Sequence, residues 1–212
     1  MVNIIDESKL IFWTGAPGSR WSGVAKQICT CSGVDNSDRS GDRSYRDESH
    51  FGNYFGPGME FGDQFLDMSK LSKESVLEEL NEPYDEPQNG RVRILKSHMF
   101  SRNLVWIKHH FPESKIVSVY RPSLDCLDWW LEAGGFDITY PNYEFYRDDI
   151  LGEIAIESEG IVGFHLSGNY DLKPYDINTL VRKLGLSNPQ DLNDSWGSKI
   201  NEVLIGVYDP NE

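Results

Sequence analysis

The sequence predicts an α/β fold, with a parallel central sheet and helices on both of its faces. Three observations carry this reading. Four short runs rich in Ile, Val and Phe have the character of buried strands: Leu10 to Thr14, Val92 to Lys96, Lys115 to Tyr120 and Gly160 to Leu166. Helix-like stretches at 20–30, 101–111, 123–133, 143–157 and 175–185 separate most of them or follow. Directly after the first run comes a glycine-containing turn, at the strand end where ligands of such folds bind.

The first strand empties into Gly15-Ala16-Pro17-Gly18-Ser19-Arg20-Trp21-Ser22-Gly23 and then a helix. A helix N-terminus reached through such a turn gathers backbone N–H groups and partial positive charge, which makes a cradle for an anion. Ser19, Ser22 and Arg20 add side-chain donors. The Gly-Lys-Ser/Thr ending of a Walker A loop is absent, which argues against an ATPase or a P-loop-like kinase. The second strand ends in Lys96-Ser97-His98. Two residues apart at a strand end, Lys96 and His98 face the same side. A histidine there can act as a general base near neutral pH, and a lysine can stabilise charge on a transferring group. The third strand runs into Arg121, followed by Pro122, which suits a helix start. Arg121 fits bidentate phosphate recognition, with pairing to Asp125 as the competing role. Asp176 and Gly185 are start and stop signals for the last helix.

Residues 32–90 interrupt the alternation and are expected to be an insertion in a single domain spanning 1–212. Val34 to Ser44 is polar and reads as a surface loop, whereas His50 to Gly62 is dense in aromatics and glycines and suits a folded segment lining a pocket. Ser72 to Leu80 has the pattern of a short helix.

The 212 residues carry 20 Lys and Arg against 34 Asp and Glu, a formal net charge of −14. That field disfavours nucleic acid and anionic membranes as partners, so an anion site has to be built from a few placed cations and amides. Three cysteines, Cys29, Cys31 and Cys126, lack zinc spacing and suggest free thiols in a reducing compartment. With no basic and apolar leader at Met1 to Glu7, and no apolar run of spanning length, the expected location is cytoplasmic.

Taken in order, the three strand ends resemble the PAPS-dependent sulfotransferase family. That family has a Pro-Lys-Ser-Gly-Thr-Thr type turn, a Lys-Thr-His element and a strand ending in Tyr-Arg-Asn-Pro. The matching segments here are Pro17-Gly18-Ser19-Arg20-Trp21-Ser22, Lys96-Ser97-His98 and Tyr120-Arg121-Pro122-Ser123-Leu124-Asp125. Asn169 to Lys173 and the helix through Leu184-Gly185-Leu186 are similar to the family's Tyr-Glu-Asp-Leu segment and the helix after it. The resemblance is anchored at 10–30, 92–130 and 165–187. It implies a P-loop nucleotide-hydrolase-like topology and transfer of a sulfuryl group from PAPS to a hydroxyl or amine of a small molecule or glycan, with no metal. By the same resemblance, the first turn holds the 5′ end of PAPS, Arg121 its 3′-phosphate, His98 is the base and Lys96 accompanies it.

The chain departs from the family pattern at defined positions. The turn's lysine falls on Gly18, and its glycine falls on Arg20. The serine eight residues past the strand-three arginine falls on Trp129, which leaves Ser123 as a substitute. Ser195 to Lys199 is the nearest counterpart of the family's Arg-Lys-Gly phosphate loop. These departures keep open a non-catalytic nucleotide- or anion-binding protein on the same fold. They also lead to the expectation that Arg20 supplies the cation missing at Gly18.

Overall fold

The computed structural model describes residues 5–39, 61–132, 148–187 and 197–212. Among the described residues one open, mostly parallel sheet runs in the order β2-β1-β3-β4. Its strands are β1 (Leu10–Gly15), β2 (Arg93–Lys96), β3 (Lys115–Tyr120) and β4 (Leu204–Tyr208). β1 pairs in parallel with β2, Trp13 opposite Lys96, and with β3, Gly15 opposite Val119. β4 runs antiparallel to β3. Around the sheet lie α1 (Trp21–Ile28), α2 (Lys73–Asn81), α3 (Leu104–His110), α4 (Ser123–Glu132), α5 (Ile150–Leu166) and α6 (Ile177–Lys183).

Strand alternation explains why this sheet is covered on both sides. Leu10 and Phe12 of β1 join Leu95, Ile116, Phe100, Phe111 and residues of α5 in one apolar cluster. Ile11 and Trp13, one residue out of phase, join Ile94, Val117, Val119, α1 and α6 in the other. Every residue of β1 is buried, so the strand reads as an unbroken apolar run.

Three of the four expected strands are present, and the fourth is corrected. Gly160 to Leu166 is the C-terminal half of α5. Its apolar residues continue a helical stripe, since Ile150, Ile154, Ile161 and Phe164 are all buried in one cluster at spacings of three, four and seven. Gly160 is needed because α5 approaches another backbone there: a Cβ would lie 2.2 Å from the Ser101 carbonyl oxygen. The fourth strand is instead β4, close to the C-terminus.

Helices were expected at 101–111, 123–133 and 175–185, and α3, α4 and α6 fall within those bounds. Of the helix expected at 143–157, the part at 143–147 lies outside the described residues, and α5 begins at Ile150. Ser72 caps α2, its hydroxyl accepting from the Ser75 N–H at 3.1 Å. Of the stretch 34–44 expected as a surface loop, residues 40–44 lie outside the described residues; Val34, Asp35 and Asp38 are instead buried, with Asp35 held by Arg93 at 2.9 Å. Of the aromatic and glycine-rich segment at 50–62, residues 50–60 lie outside the described residues. Among the described residues no helix is long and apolar enough to cross a membrane. Cys29, Cys31 and Cys126 are free thiols, all buried.

Candidate functional site

The order β2-β1-β3 brings the three sequence motifs to adjacent strand ends at one edge of the sheet. The first turn starts at Gly15 and closes with the Ser19 N–H donating to the Ala16 carbonyl at 3.0 Å. Pro17 is buried, and Gly18 has φ +79°. Gly18 is pressed against the start of α4, where a Cβ would sit 2.0 Å from the Cys126 carbonyl oxygen. A side chain at position 18 therefore has no room, which excludes a lysine there. Ser19 is fully buried, and its hydroxyl has no hydrogen-bond partner.

Arg20 caps α1 in the left-handed region, with φ +70°. Only glycine adopts that conformation freely, so arginine there is strained by about 1–2 kcal/mol. Its guanidinium lies 3.4 Å from the centre of the Trp129 ring and 3.1 Å from the Glu202 carboxylate. The two departures at positions 20 and 129 are thus in contact with each other. Arg20 is held between an indole and a carboxylate. Burial lowers its pKa, Glu202 opposes that, and the nearby Arg121 lowers it further. The Nε of Arg20 and the Nη1 of Arg121 are both buried without a hydrogen-bond partner. Two guanidinium groups that repel each other, each with an unmet donor, suit an anion between or beside them.

The Lys96-Ser97-His98 element is fixed by local hydrogen bonds. The Ser97 hydroxyl caps the short helical turn His98–Arg102 by accepting from the Met99 N–H. It also donates to the Phe61 carbonyl at 2.9 Å, while the Phe61 N–H donates to the Lys96 carbonyl at 2.7 Å. The end of the 32–90 insertion is thereby tied to the site. Ile94 packs on the α1 side and Leu95 on the other, so Lys96 continues on the α1 side by alternation. Both Lys96 and His98 are buried.

The His98 Nδ1 lies 2.5 Å from the Gly15 carbonyl oxygen. A carbonyl only accepts, so Nδ1 carries the proton and Nε2 carries the lone pair, the tautomer a base needs. Its ring packs on Trp21 with centroids 4.4 Å apart. Burial depresses the imidazole from its ordinary value of 6.5 to about 3, against a smaller opposite effect of the Gly15 hydrogen bond. His98 is accordingly neutral far below the neutral range in which a solvated histidine titrates. Behind it stands Glu157 of α5, fully buried, with its Oε2 3.6 Å from Nδ1.

Cys126 connects these groups electrostatically. Burial pushes its thiol up to about 12, Arg121 opposes this, and Asp125 and Glu157 add to it. Among the remaining expected residues, Ser22 is exposed on the first turn of α1, and Ser123 is half-buried at the start of α4. The side chains of Ser195 to Lys199 lie outside what is described. Sequence reasoning missed Glu157 and Glu202. Glu157 had a legible signal, a carboxylate between Ile154 and Ile161 on an apolar helical stripe.

Comparison with protein-family models, with curated proteins and with solved structures finds no match.

Proposed function

We propose that this chain is a sulfotransferase-like enzyme that moves a sulfuryl group from PAPS to a hydroxyl or amine of a small molecule or glycan. The observation that carries the proposal is the pair of unmet buried donors, Arg20 Nε and Arg121 Nη1, on a strand edge of a chain with net charge −14. An anion answers both, and PAPS supplies phosphates of the right chemistry. Arg121 binds the 3′-phosphate, and the amides and Ser19 hydroxyl of the 15–22 turn receive the 5′ end. Lys96 lies beside the transferring group. His98, neutral with its lone pair on Nε2, takes the acceptor's proton. The strand order supports this reading, since it sets the three motifs at adjacent strand ends, close enough to act on one ligand. A P-loop topology of the sulfotransferase kind is part of the same proposal.

A second reading is favoured by one specific observation. Gly18 excludes a lysine, and Arg20 is already engaged by Glu202, so the leaving-group side of the site is short of a mobile cation. On that reading the chain binds a nucleotide or anion without turning it over.

Thermal unfolding with adenosine 3′,5′-bisphosphate, the desulfated product, tests binding. At a hundredfold excess over its dissociation constant, a site ligand stabilises by about 2.7 kcal/mol. The proposal expects that response to the bisphosphate and none to ATP with magnesium. The reverse pattern would favour a kinase. A bisphosphate response without transfer of label from PAPS to any acceptor would favour the non-catalytic reading.

A further inference from the structure

Glu157 is a carboxylate with no solvent exposure in the middle of α5, a position that asks for a reason. Its Oε2 lies 3.6 Å from His98 Nδ1, the same nitrogen that donates to the Gly15 carbonyl. The approach is built into the backbone. Gly160, three residues further along the same helix, lets α5 seat on the Ser101 carbonyl, and the Ser101 hydroxyl in turn donates to the His98 carbonyl at 2.6 Å. Thr14 of β1 donates to that carbonyl as well, at 3.3 Å. His98 is thus fixed by its surroundings, with a Glu157 carboxylate oxygen 3.6 Å from its Nδ1. On the β3–α4 side Glu157 acts on the Cys126 thiol, which Arg121 and Asp125 also reach electrostatically.

We propose that Glu157 is the positioning residue of His98, its carboxylate lying beside the Nδ1–H that the Gly15 carbonyl accepts and balancing the imidazolium that forms when Nε2 accepts a proton. This rests on the sulfuryl-transfer reading. In the step concerned, the acceptor hydroxyl gives its proton to Nε2 while its oxygen forms a bond to sulfur. The bond between sulfur and the bridging oxygen of the donor breaks, and its electron pair leaves with adenosine 3′,5′-bisphosphate. The positive charge left on His98 lies beside the Glu157 carboxylate until the proton returns to solvent. An oriented carboxylate behind a base lowers the cost of that charge in a dry site.

The test compares the wild-type chain with Glu157→Gln, which keeps the side-chain shape and removes the charge. Histidine 15N NMR across a pH titration reads the protonation midpoint of His98 directly. Loss of an opposite charge at this distance lowers a histidine midpoint by roughly one unit, a tenfold loss of proton affinity. An unchanged midpoint overturns the proposal whether or not the chain transfers sulfuryl groups. Where the wild type does turn over, Glu157→Gln is expected to lower kcat about tenfold or more, with KM for PAPS unchanged. It should add nothing to His98→Asn. Additive losses, or a wild-type kcat in Glu157→Gln, overturn the pairing while leaving the reaction intact. A wild type without activity removes the reaction, and the NMR midpoint alone then decides the pair. If Glu157→Gln does not fold, Glu157→Asp takes its place and is expected to shift the midpoint in the same direction by less.

Discussion

Replacing Gly18 with alanine isolates the feature that separates this turn from the pattern it resembles. The residue has φ +79°, and a Cβ there would meet the Cys126 carbonyl oxygen at 2.0 Å and its carbonyl carbon at 2.7 Å. The left-handed backbone costs alanine about 1 kcal/mol or slightly more. The contact costs more, because comfortable C···O separations are about 3.3 Å and the obstacle is backbone at the start of α4 rather than a flexible side chain. Forced separation of packed elements adds about 1–3 kcal/mol. The expected loss is therefore about 3 kcal/mol, or about 6–12 °C in melting temperature for a chain of this size. Gly185→Ala is the internal control. It has φ +74° and nothing within 4 Å of the new Cβ, so it carries the backbone cost alone. Calorimetric or urea unfolding of both variants reads the difference. Equal losses at the two positions would refute the claim that the turn is locked against α4. A stable Gly18→Lys variant that binds adenosine 3′,5′-bisphosphate more tightly would refute it as well.

Arg121→Ala is expected to weaken adenosine 3′,5′-bisphosphate by about 2 kcal/mol in calorimetric titration, through loss of a charge-assisted contact, and to leave AMP nearly unaffected. Equal weakening of both ligands would remove the 3′-phosphate from Arg121. Stability should also depend on pH through His98. The folded chain keeps the imidazole neutral down to about 3, whereas the unfolded chain protonates it near its ordinary value of 6.5. The unfolded state therefore binds the extra proton between those limits. The contribution is complete above pH 6.5 and is lost as pH falls towards 3, by up to about 1.4 kcal/mol per pH unit. Urea unfolding of His98→Asn should show a shallower slope in that window, and an identical slope would exclude His98 as its source. At position 20, Arg20→Gly should be more stable than Arg20→Ala by about 1 kcal/mol, because glycine relieves the left-handed strain that alanine retains. Both variants should weaken the bisphosphate; an Arg20→Ala variant with unchanged binding would show that Arg20 only braces Trp129 and Glu202.

The parallel part of the sheet was legible because buried strands leave a strong local mark. Leu10 to Gly15 and Lys115 to Tyr120 are apolar on both faces, with a turn or an arginine at each carboxyl end. Gly160 to Leu166 carried a similar mark for a different reason. A short apolar run does not distinguish a buried strand from the inner stripe of a buried helix, and only the spacing back to Ile150 and Ile154 decides it. β4 escaped notice because Leu204 to Tyr208 is short and pairs antiparallel at the sheet edge, away from the alternation that marked the other strands. In the site, His98 and Arg121 were found because strand ends are local features. The grip of Glu202 and Trp129 on Arg20 was not, since those partners come from positions 182 and 109 residues away in the chain. The acid–base range expected for His98 also changed. Type and spacing name an imidazole, but burial between α1, α5 and the first turn sets its proton affinity.

The central claim is that the edge formed by the 15–22 turn, His98 and Arg121 receives the sulfuryl donor. A crystal structure of the chain with adenosine 3′,5′-bisphosphate tests it most directly. The account predicts the 3′-phosphate on the Arg121 guanidinium, the 5′-phosphate against the turn beside Ser19, and the Nε2 of His98 facing the vacated sulfuryl position. Nucleotide bound elsewhere on the molecule, or seated with its 3′-phosphate away from Arg121 and the turn left empty, would contradict it.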